Sequence, residues 1–216
     1  MQVGSATGAP GRGREEAEVE FSRIVAFSDG VFAIAMTLLV LNLNVPTSDL
    51  GESLREQRPD FIAYALSFAV LARFWLAHHT FFSEVRRFDR GLMLLNLLLL
   101  GLVVLVPFAT GVFGAFEGDV GGIAVYAVLL AALAASEDLL AIYAVRAGLT
   151  TPEAAAREEA VGMWRFAVPA LFLVAIPLAA VIGAWAPLVW LLMIPVGVAL
   201  QRRGGSRLAK SSPPSA

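Results

Sequence analysis

The chain has 216 residues, of which 58% are hydrophobic and only 16% are charged, and its mean hydropathy is +0.73. A soluble domain carries about a quarter charged residues, so this composition predicts an integral membrane protein. The net charge of −2 offers no basic surface for nucleic acid, and the absence of cysteine excludes disulfides, thiolate catalysis and thiolate metal sites.

Apolar runs predict an all-α fold with six membrane-spanning helices. Each run can cross about 30 Å of hydrocarbon at about 1.5 Å per residue. The runs lie at 22–45, 60–82, 91–114, 120–145, 161–183 and 185–203. Only a short turn near Gly183 separates the last two, so one long broken segment is the alternative, although about 40 residues exceed a single span.

The two ends of the chain are predicted to be disordered and cytoplasmic. They comprise residues 1–20 and 204–216, which flank one membrane domain at 21–203. With six spans, thirteen of the 16 basic residues fall on one side of the membrane, while Arg55 and Arg58 fall on the other. Basic loops stay in the cytoplasm, so the sequence predicts a multi-pass cell-membrane protein with both termini inside.

The first span contains the stretch "RIVAFSDGVFAIAMTLLVLNL", which runs from Arg23 to Leu43. At about 100° per residue, one face of this helix carries an apolar stripe made of Ile34, Leu38 and Leu41. Thr37 lies beside the stripe and Asn44 lies at its outer end. Taken alone, such a stripe is more typical of lipid contact or helix packing than of a specific site.

Four ionisable residues fall at a similar depth in the predicted spans. Counted from the cytoplasmic ends, Asp29, Arg73, Glu137 and Asp138 lie roughly 10–14 Å deep at about 1.5 Å per residue. A charge inside a membrane needs a partner or a water-filled pocket. We therefore expect Arg73 to pair with one or more of the acids, and a proton relay through the acids is the alternative.

The segment "RIVAFSD" fits the pattern Arg-x-x-x-Phe-Ser-Asp at the start of a first helix. The apolar stripe follows this segment, and three further features occur later: "FWLAHHTFF" at 74–82, Asp89, and "LNLLLLGLVVLVPF" at 95–108. Together these features resemble the transmembrane protein 175 family of prokaryotic and lysosomal potassium channels. The resemblance implies a homotetramer of six-helix subunits around an axis lined by helix one. It also implies an apolar constriction in place of a carbonyl filter, and the sequence has no "TVGYG" loop.

The resemblance also implies roles for individual residues. Ile34 would form the tightest layer, with Leu38 and Leu41 above it, and Thr37 and Asn44 would be polar pore-lining positions. A second set would form the signature and the network that fixes the rotation of helix one. Its members are Arg23, Phe27, Ser28, Asp29, Arg73, Trp75, His78, His79, Asp89 and Asn96.

The predicted function is a potassium-permeable cation channel with weak preference for potassium over sodium, embedded in the bilayer and without a cofactor. The alternative is a proton channel or secondary transporter that uses the buried layer of Asp29, Arg73, Glu137 and Asp138. An enzyme is disfavoured because no Ser/His/Asp set or cofactor motif occurs. The only histidines, His78 and His79, point about 100° apart and are too few for a metal site.

Arg23 lies at the inner end of the apolar stripe. An unpaired cation there would repel potassium, so we expect Arg23 to pair with an acid on a neighbouring helix or subunit.

Overall fold

The computed structural model describes residues 12–45, 49–116 and 118–192, and almost all of these residues are helical. Among the described residues, five segments are long and apolar enough to cross a membrane, which confirms the first five predicted spans. They are Val19–Asn42, Arg58–Ser83, Arg90–Ala115, Val120–Arg146 and Pro152–Ile182. A 3₁₀ segment, Gly183–Leu192, begins the sixth predicted span, and the rest of that span lies outside the described residues.

The first span consists of helix α1 (Arg12–Leu38) and a 3₁₀ segment (Leu39–Asn42). The described helix includes residues 12–20, which the sequence assigned to a disordered end. Four of these residues are glutamates, which are good helix formers. The helical winding stops because Leu43 is extended, with φ −93° and ψ 129°. Val45, which precedes Pro46, is also disfavoured in a helix.

Three of the next four helices begin with an aspartate whose side chain accepts a hydrogen bond from the backbone of the first turn. These helices are α2 (Leu50–Glu56), α4 (Arg90–Ala115) and α5 (Val120–Arg146), and α3 is Arg58–Ser83. The capping residues are Asp49, Asp89 and Asp119. Such caps satisfy backbone donors that a helix start leaves free. Helix α2 was not predicted, because seven residues without an apolar run give no span signal.

The fifth span is broken near its start. Helix α6 (Pro152–Val161) ends at Gly162, whose φ of 55° favours glycine, and a 3₁₀ segment (Gly162–Phe166) leads into α7 (Ala167–Ile182). Helix α7 alone covers only about 24 Å, and the 3₁₀ segment adds about 10 Å at 2.0 Å per residue. Together they reach the thickness of the hydrocarbon core and match the predicted span at 161–183.

The fifth and sixth segments form a hairpin, as predicted, and are not one broken helix. The chain reverses at Gly183, whose φ is 54°. Beyond this turn, the fully buried Trp190 donates its indole N–H to the Phe172 carbonyl at 3.3 Å. The Trp190 ring also contacts Tyr126 of α5, with centroids 5.2 Å apart. The returning segment is thereby fixed against α7 and α5.

Two loops meet at one end of the bundle and form what we call the interloop clasp, made of Glu84, Val85, Thr150, Thr151 and Arg157. Val85 and Thr150 form an antiparallel bridge, and the Thr151 N–H donates to the Glu84 carbonyl at 3.0 Å. Arg157 of α6 forms an ion pair with the Glu84 carboxylate. The loops after the second and fourth spans therefore lie at the same end, as the six-span topology requires.

The start of the first span lies at the clasp end too. Phe21 of α1 packs against Phe82 and Phe88, with ring centroids 6.2 and 5.8 Å apart. At the opposite end, the Asn44 N–H donates to Gln57 Oε1 at 2.9 Å, beside Arg55 and Arg58. Apart from Arg73, the arginines at positions 23–165 thus divide between the two ends as predicted. Those at or near the clasp end are Arg23, Arg86, Arg87, Arg90, Arg146, Arg157 and Arg165.

Candidate functional site

The first span has two faces of opposite character. Its inner row is almost completely buried against α3 and α4 and consists of Ser28, Phe32, Ala35 and Leu39. These residues follow i, i+4, i+7, i+11 spacing, which places them on one helical face. On another face the apolar stripe is exposed within the chain, with Ile34 at 61%, Leu38 at 39% and Leu41 at 75%. The stripe is therefore free to face an axis, another copy of the chain, or lipid.

The 3₁₀ segment changes the geometry of the stripe's outer end. In 3₁₀ winding residues i and i+3 eclipse each other, so Leu41 stands directly above Leu38. The sequence placed Asn44 on the same helical stripe, and this prediction is wrong because the winding ends at Asn42. Asn44 lies in extended chain, with its backbone N–H bonded to Gln57.

A chain of buried hydrogen bonds connects the second, third and first spans. His78 Nε2 lies 2.9 Å from Asn96 Oδ1, and Asn96 Nδ2 donates to Ser28 Oγ at 2.9 Å. Ser28 Oγ in turn donates to the Ile24 carbonyl at 3.0 Å. Because an amide oxygen only accepts, His78 Nε2 must carry the proton. All donors thus point in one direction, from α3 through α4 to α1.

Asp29 lies next to this chain and has a separate partner. Its Oδ1 accepts from the Trp75 indole N–H at 2.9 Å. His79, which we expected to be a donor to the first span, is exposed and packs its ring against Trp75, with centroids 5.7 Å apart. The signature aspartate is therefore held by one neutral donor from the second span.

The direct pairing predicted for Arg73 is wrong. In the part of the chain that the structure describes, Arg73 forms no ion pair. Glu137 Oε1 and Asp138 Oδ2 are buried without a hydrogen-bond partner among the described residues. Adjacent helical residues point about 100° apart, so Glu137 and Asp138 face different neighbours. The four ionisable residues therefore form separate local groups, not one joined layer.

Two arginines near the clasp end differ in their pairing. Arg165, which is not part of the predicted signature, pairs with Glu158 at 3.3 Å. Arg23 of the signature is exposed, and within residues 12–45, 49–116 and 118–192 it has no ion-pair partner, so the acid expected beside it stays a prediction. Phe27, the aromatic residue of the signature, is 57% exposed and lies on the same side of α1 as the stripe.

Asp89 joins the third and fourth spans and does not contact Ser28 or Asp29. Its Oδ1 accepts from the Leu92 N–H at 2.8 Å, and its Oδ2 accepts from the Tyr143 hydroxyl at 2.8 Å. These bonds, first that from Leu92 and then that from Tyr143, hold the pKa of Asp89 below its usual value. Gly91 makes the approach possible, since a Cβ there would lie 2.0 Å from the Tyr143 oxygen.

Three polar contacts between spans, one half-buried and two buried, were missed from the sequence. Asn42 Nδ2 donates to the Pro107 carbonyl of α4 at 3.0 Å. Deeper in the bundle, the Ser67 and Tyr126 hydroxyls lie 2.7 Å apart, and Thr110 Oγ1 donates to Ser67 at 2.8 Å. Isolated polar residues in apolar runs were the available signal, because a membrane interior forces such groups to find partners.

Comparison with known proteins identifies the family. A family model described as endosomal/lysosomal potassium channel TMEM175 matches residues 23–107. A potassium channel of Streptomyces collinus is 41% identical over 137 residues, which make up 60% of this chain and 66% of that protein. A potassium channel of Chamaesiphon minutus is 38% identical over 179 residues, or 77% of this chain and 87% of that protein. The chain belongs to the TMEM175 family.

A solved TMEM175 structure has the same fold. The crystal structure of a lysosomal potassium-selective channel TMEM175 homolog from Chamaesiphon minutus matches with a TM-score of 0.72 at 34% identity. The match covers 84% of this chain and 98% of that one. The resemblance drawn from the sequence is thus confirmed. The part of the sequence that the family model matches contains the stripe and the hydrogen-bonded residues His78, Asn96 and Ser28, whereas Glu137 and Asp138 lie outside it.

Proposed function

We propose that this TMEM175 protein is a potassium-permeable cation channel whose pore is lined by the first span of four identical subunits. Family membership and the relatives named as potassium channels support the ion. The observation that carries the proposal is the division of the first span into a buried row and an exposed stripe. The protein acts by conduction and not by catalysis.

The polar neighbour of the stripe offers oxygen acceptors to an axis. Thr37 is exposed on the same face as Ile34 and Leu38, and its hydroxyl donates to the Ile34 carbonyl at 2.8 Å. The hydroxyl proton is thereby used by the helix itself, and the oxygen lone pairs stay free to accept. A ring of such oxygens around an axis can replace part of the water that a cation loses.

The stripe acts as an apolar constriction. Four Ile34 side chains around a four-fold axis cannot coordinate an ion, but they dewet when close together and admit a partly hydrated ion when further apart. Potassium holds its water less tightly than sodium, so its dehydration costs less. An apolar constriction therefore gives a weak preference for potassium, with Leu38 and Leu41 as outer layers of the same kind.

The hydrogen-bond chain and the Asp29–Trp75 contact fix the rotation of the first span. Ser28 of the buried row is attached to α4 and the adjacent Asp29 is attached to α3, both on the side away from the stripe. The width of the constriction then depends on these bonds, although none of their side chains lies in the stripe.

The subunits form a homotetramer in the cell membrane, with the clasp end in the cytoplasm. One helix per subunit closes a narrow pore when four meet at an axis. The orientation is supported by the arginines that gather at the clasp end. The mass of the detergent-solubilised complex checks the subunit number, and a monomer or dimer would overturn it.

The function is tested by potassium current through purified protein in a planar bilayer. With potassium as the only small cation on both sides of the bilayer, we expect a passive current that reverses at the potassium equilibrium potential. The Ile34→Asn variant replaces the apolar ring with amides, so the constriction stays wet, and we expect a larger conductance and a lower preference for potassium over sodium.

The matched control is Leu98→Asn, which makes the same kind of change on the exposed face of α4. Its conductance and selectivity should equal those of the unmodified protein. Absence of potassium current, or equal effects of the two variants, would contradict the proposal. A current that follows the proton gradient and not the potassium gradient would favour the alternative of a proton channel or transporter.

A further inference from the structure

The last residue of the first span is attached to the third span by a contact that the signature does not include. Asn42 is half-buried, and its amide nitrogen donates to the Pro107 carbonyl at 3.0 Å. A helical carbonyl has a second lone pair, so it can accept this bond in addition to one within α4. The contact joins residues 65 positions apart in the sequence.

Gly111 leaves the space that the Asn42 side chain occupies. It lies one turn beyond Pro107 in α4, and a Cβ at this position would lie 2.7 Å from Asn42 Oδ1. Real Cβ atoms essentially never approach an atom so closely, so an alanine at 111 would displace the Asn42 amide. Because the displaced atom is the end of a flexible side chain, α4 itself need not distort.

The 3₁₀ winding connects this contact to the stripe. Residues i and i+3 eclipse in a 3₁₀ segment, so Leu39 and Asn42 share one line along the span, and Leu38 and Leu41 share another. The first line is attached to the neighbouring helices, since Leu39 is fully buried and Asn42 is bonded to Pro107. The second line is exposed, with Leu41 at 75%. Holding Asn42 thus sets the direction in which Leu38 and Leu41 point.

We propose that Asn42, seated on Pro107 and Gly111, is a positioning residue that sets the radius of the outer constriction layers at Leu38 and Leu41. The inference rests on the proposed channel function. Asn42 touches no ion and acts only through the 3₁₀ segment. Displacing it should alter permeation, although no residue of the stripe changes.

The test compares Gly111→Ala with Gly101→Ala, which is the same change on the same helix where a Cβ meets nothing within 4 Å. We expect Gly111→Ala to change the single-channel conductance by about twofold or more, because the rate over a barrier depends exponentially on its height. The potassium-to-sodium permeability ratio should change as well, while Gly101→Ala leaves both unchanged. Equal behaviour of the two variants would overturn the inference.

A double variant shows whether the effect passes through Asn42. Asn42→Ala removes the amide, so Gly111→Ala should have no further effect on conductance or selectivity in that background. Additive effects of the two changes would mean that Gly111 acts by another route, which would also overturn the inference.

A measurement that needs no current separates this inference from the proposed function. The chain has no cysteine, so Leu41→Cys provides a single site for a spin label. Distances between labels in the assembled protein should shift or broaden on Gly111→Ala and not on Gly101→Ala. Unchanged distances would overturn the role of Asn42, whereas shifted distances in a protein that carries no potassium current would overturn only the channel function.

Discussion

Asn96 can hold two helices at once because its side chain carries both a donor and an acceptor. Its oxygen faces His78 of the second span, and its nitrogen faces Ser28 of the first. Asn96 and His78 are 1% and 3% exposed, so water cannot replace a lost bond. A buried polar group without a partner costs more than the bond itself contributes. Asn96 is therefore the most sensitive position of the network.

We predict that Asn96→Leu lowers the stability of the purified protein by about 1–3 kcal/mol, because His78 Nε2 is left without a partner. The measurement is thermal unfolding in detergent. The double variant Asn96→Leu with His78→Phe should recover part of the loss, since both members of the bond are then apolar. If the double variant loses as much stability as the two single variants together, the His78–Asn96 bond is not the cause of the destabilisation.

The sequence allowed some side-chain contacts to be predicted and not others. Asp29 and Trp75 lie at a depth where a buried carboxylate needs a donor, and the resemblance named the donor. Arg73 lies at the same depth as Glu137 but forms no ion pair with it within the described residues. Depth follows from counting residues, whereas the direction of a side chain depends on helix rotation, which the packing of neighbouring helices decides.

At the scale of the elements, hydropathy predicted that the spans exist but not how they end. The 3₁₀ segments Leu39–Asn42 and Gly162–Phe166 leave the hydropathy unchanged, so no apolar pattern marks them. The first of these segments aligns Leu41 with Leu38 in the stripe, and the second lengthens the fifth span. Caps follow more directly from residue type, because Thr151, which precedes Pro152, caps α6 and accepts from the Ala154 N–H at 3.2 Å.

The cap of α4 should make part of the stability depend on pH. The pKa of Asp89 is lower in the folded protein than its ordinary value of 3.8. Its contribution to stability is therefore fully present above that value and is lost as the pH falls through the lower, folded pKa. We predict that Asp89→Asn, which still caps the helix, shows a smaller loss of melting temperature on acidification below pH 3.8 than the unmodified protein.

Tyr143→Phe is the matched control for this prediction. It removes one of the two donors to Asp89 and leaves the carboxylate in place. The pKa of Asp89 then moves back toward its ordinary value. The melting temperature should therefore fall less on acidification than in the unmodified protein. An acid profile that is identical in all three proteins would show that Asp89 does not contribute to it.

On the scale of the whole molecule, the two ends of the bundle differ in charge and should lie on opposite sides of the membrane. Single cysteines can be introduced one at a time, because the chain has none. Phe116→Cys lies between α4 and α5, and Arg86→Cys lies beside the clasp. We predict that a membrane-impermeant thiol reagent labels Phe116→Cys in intact cells and labels Arg86→Cys only after the cells are opened. The reverse result would invert the orientation.

The exposed stripe is also a property of the whole assembly. A single chain leaves Ile34 and Leu41 more than half exposed, and its own helices cover only the opposite row of α1. The sequence alone could not decide what covers the stripe, because no helix of the same chain covers it within the described residues. The family signature supplied the interpretation that helical spacing left open.

The interloop clasp has a topological consequence. The chain leaves the clasp at Val85, crosses the membrane along α4, returns along α5 and rejoins the clasp at Thr150. These residues form a closed ring whose two sides are in contact, with Tyr143 against Gly91 near one end and Phe116 against Gly122 near the other. If the backbone were cut at the turn between α4 and α5, the two fragments would still be joined by the clasp and by the contacts between α4 and α5. An intact peptide bond at this turn is therefore not required to hold the two fragments together.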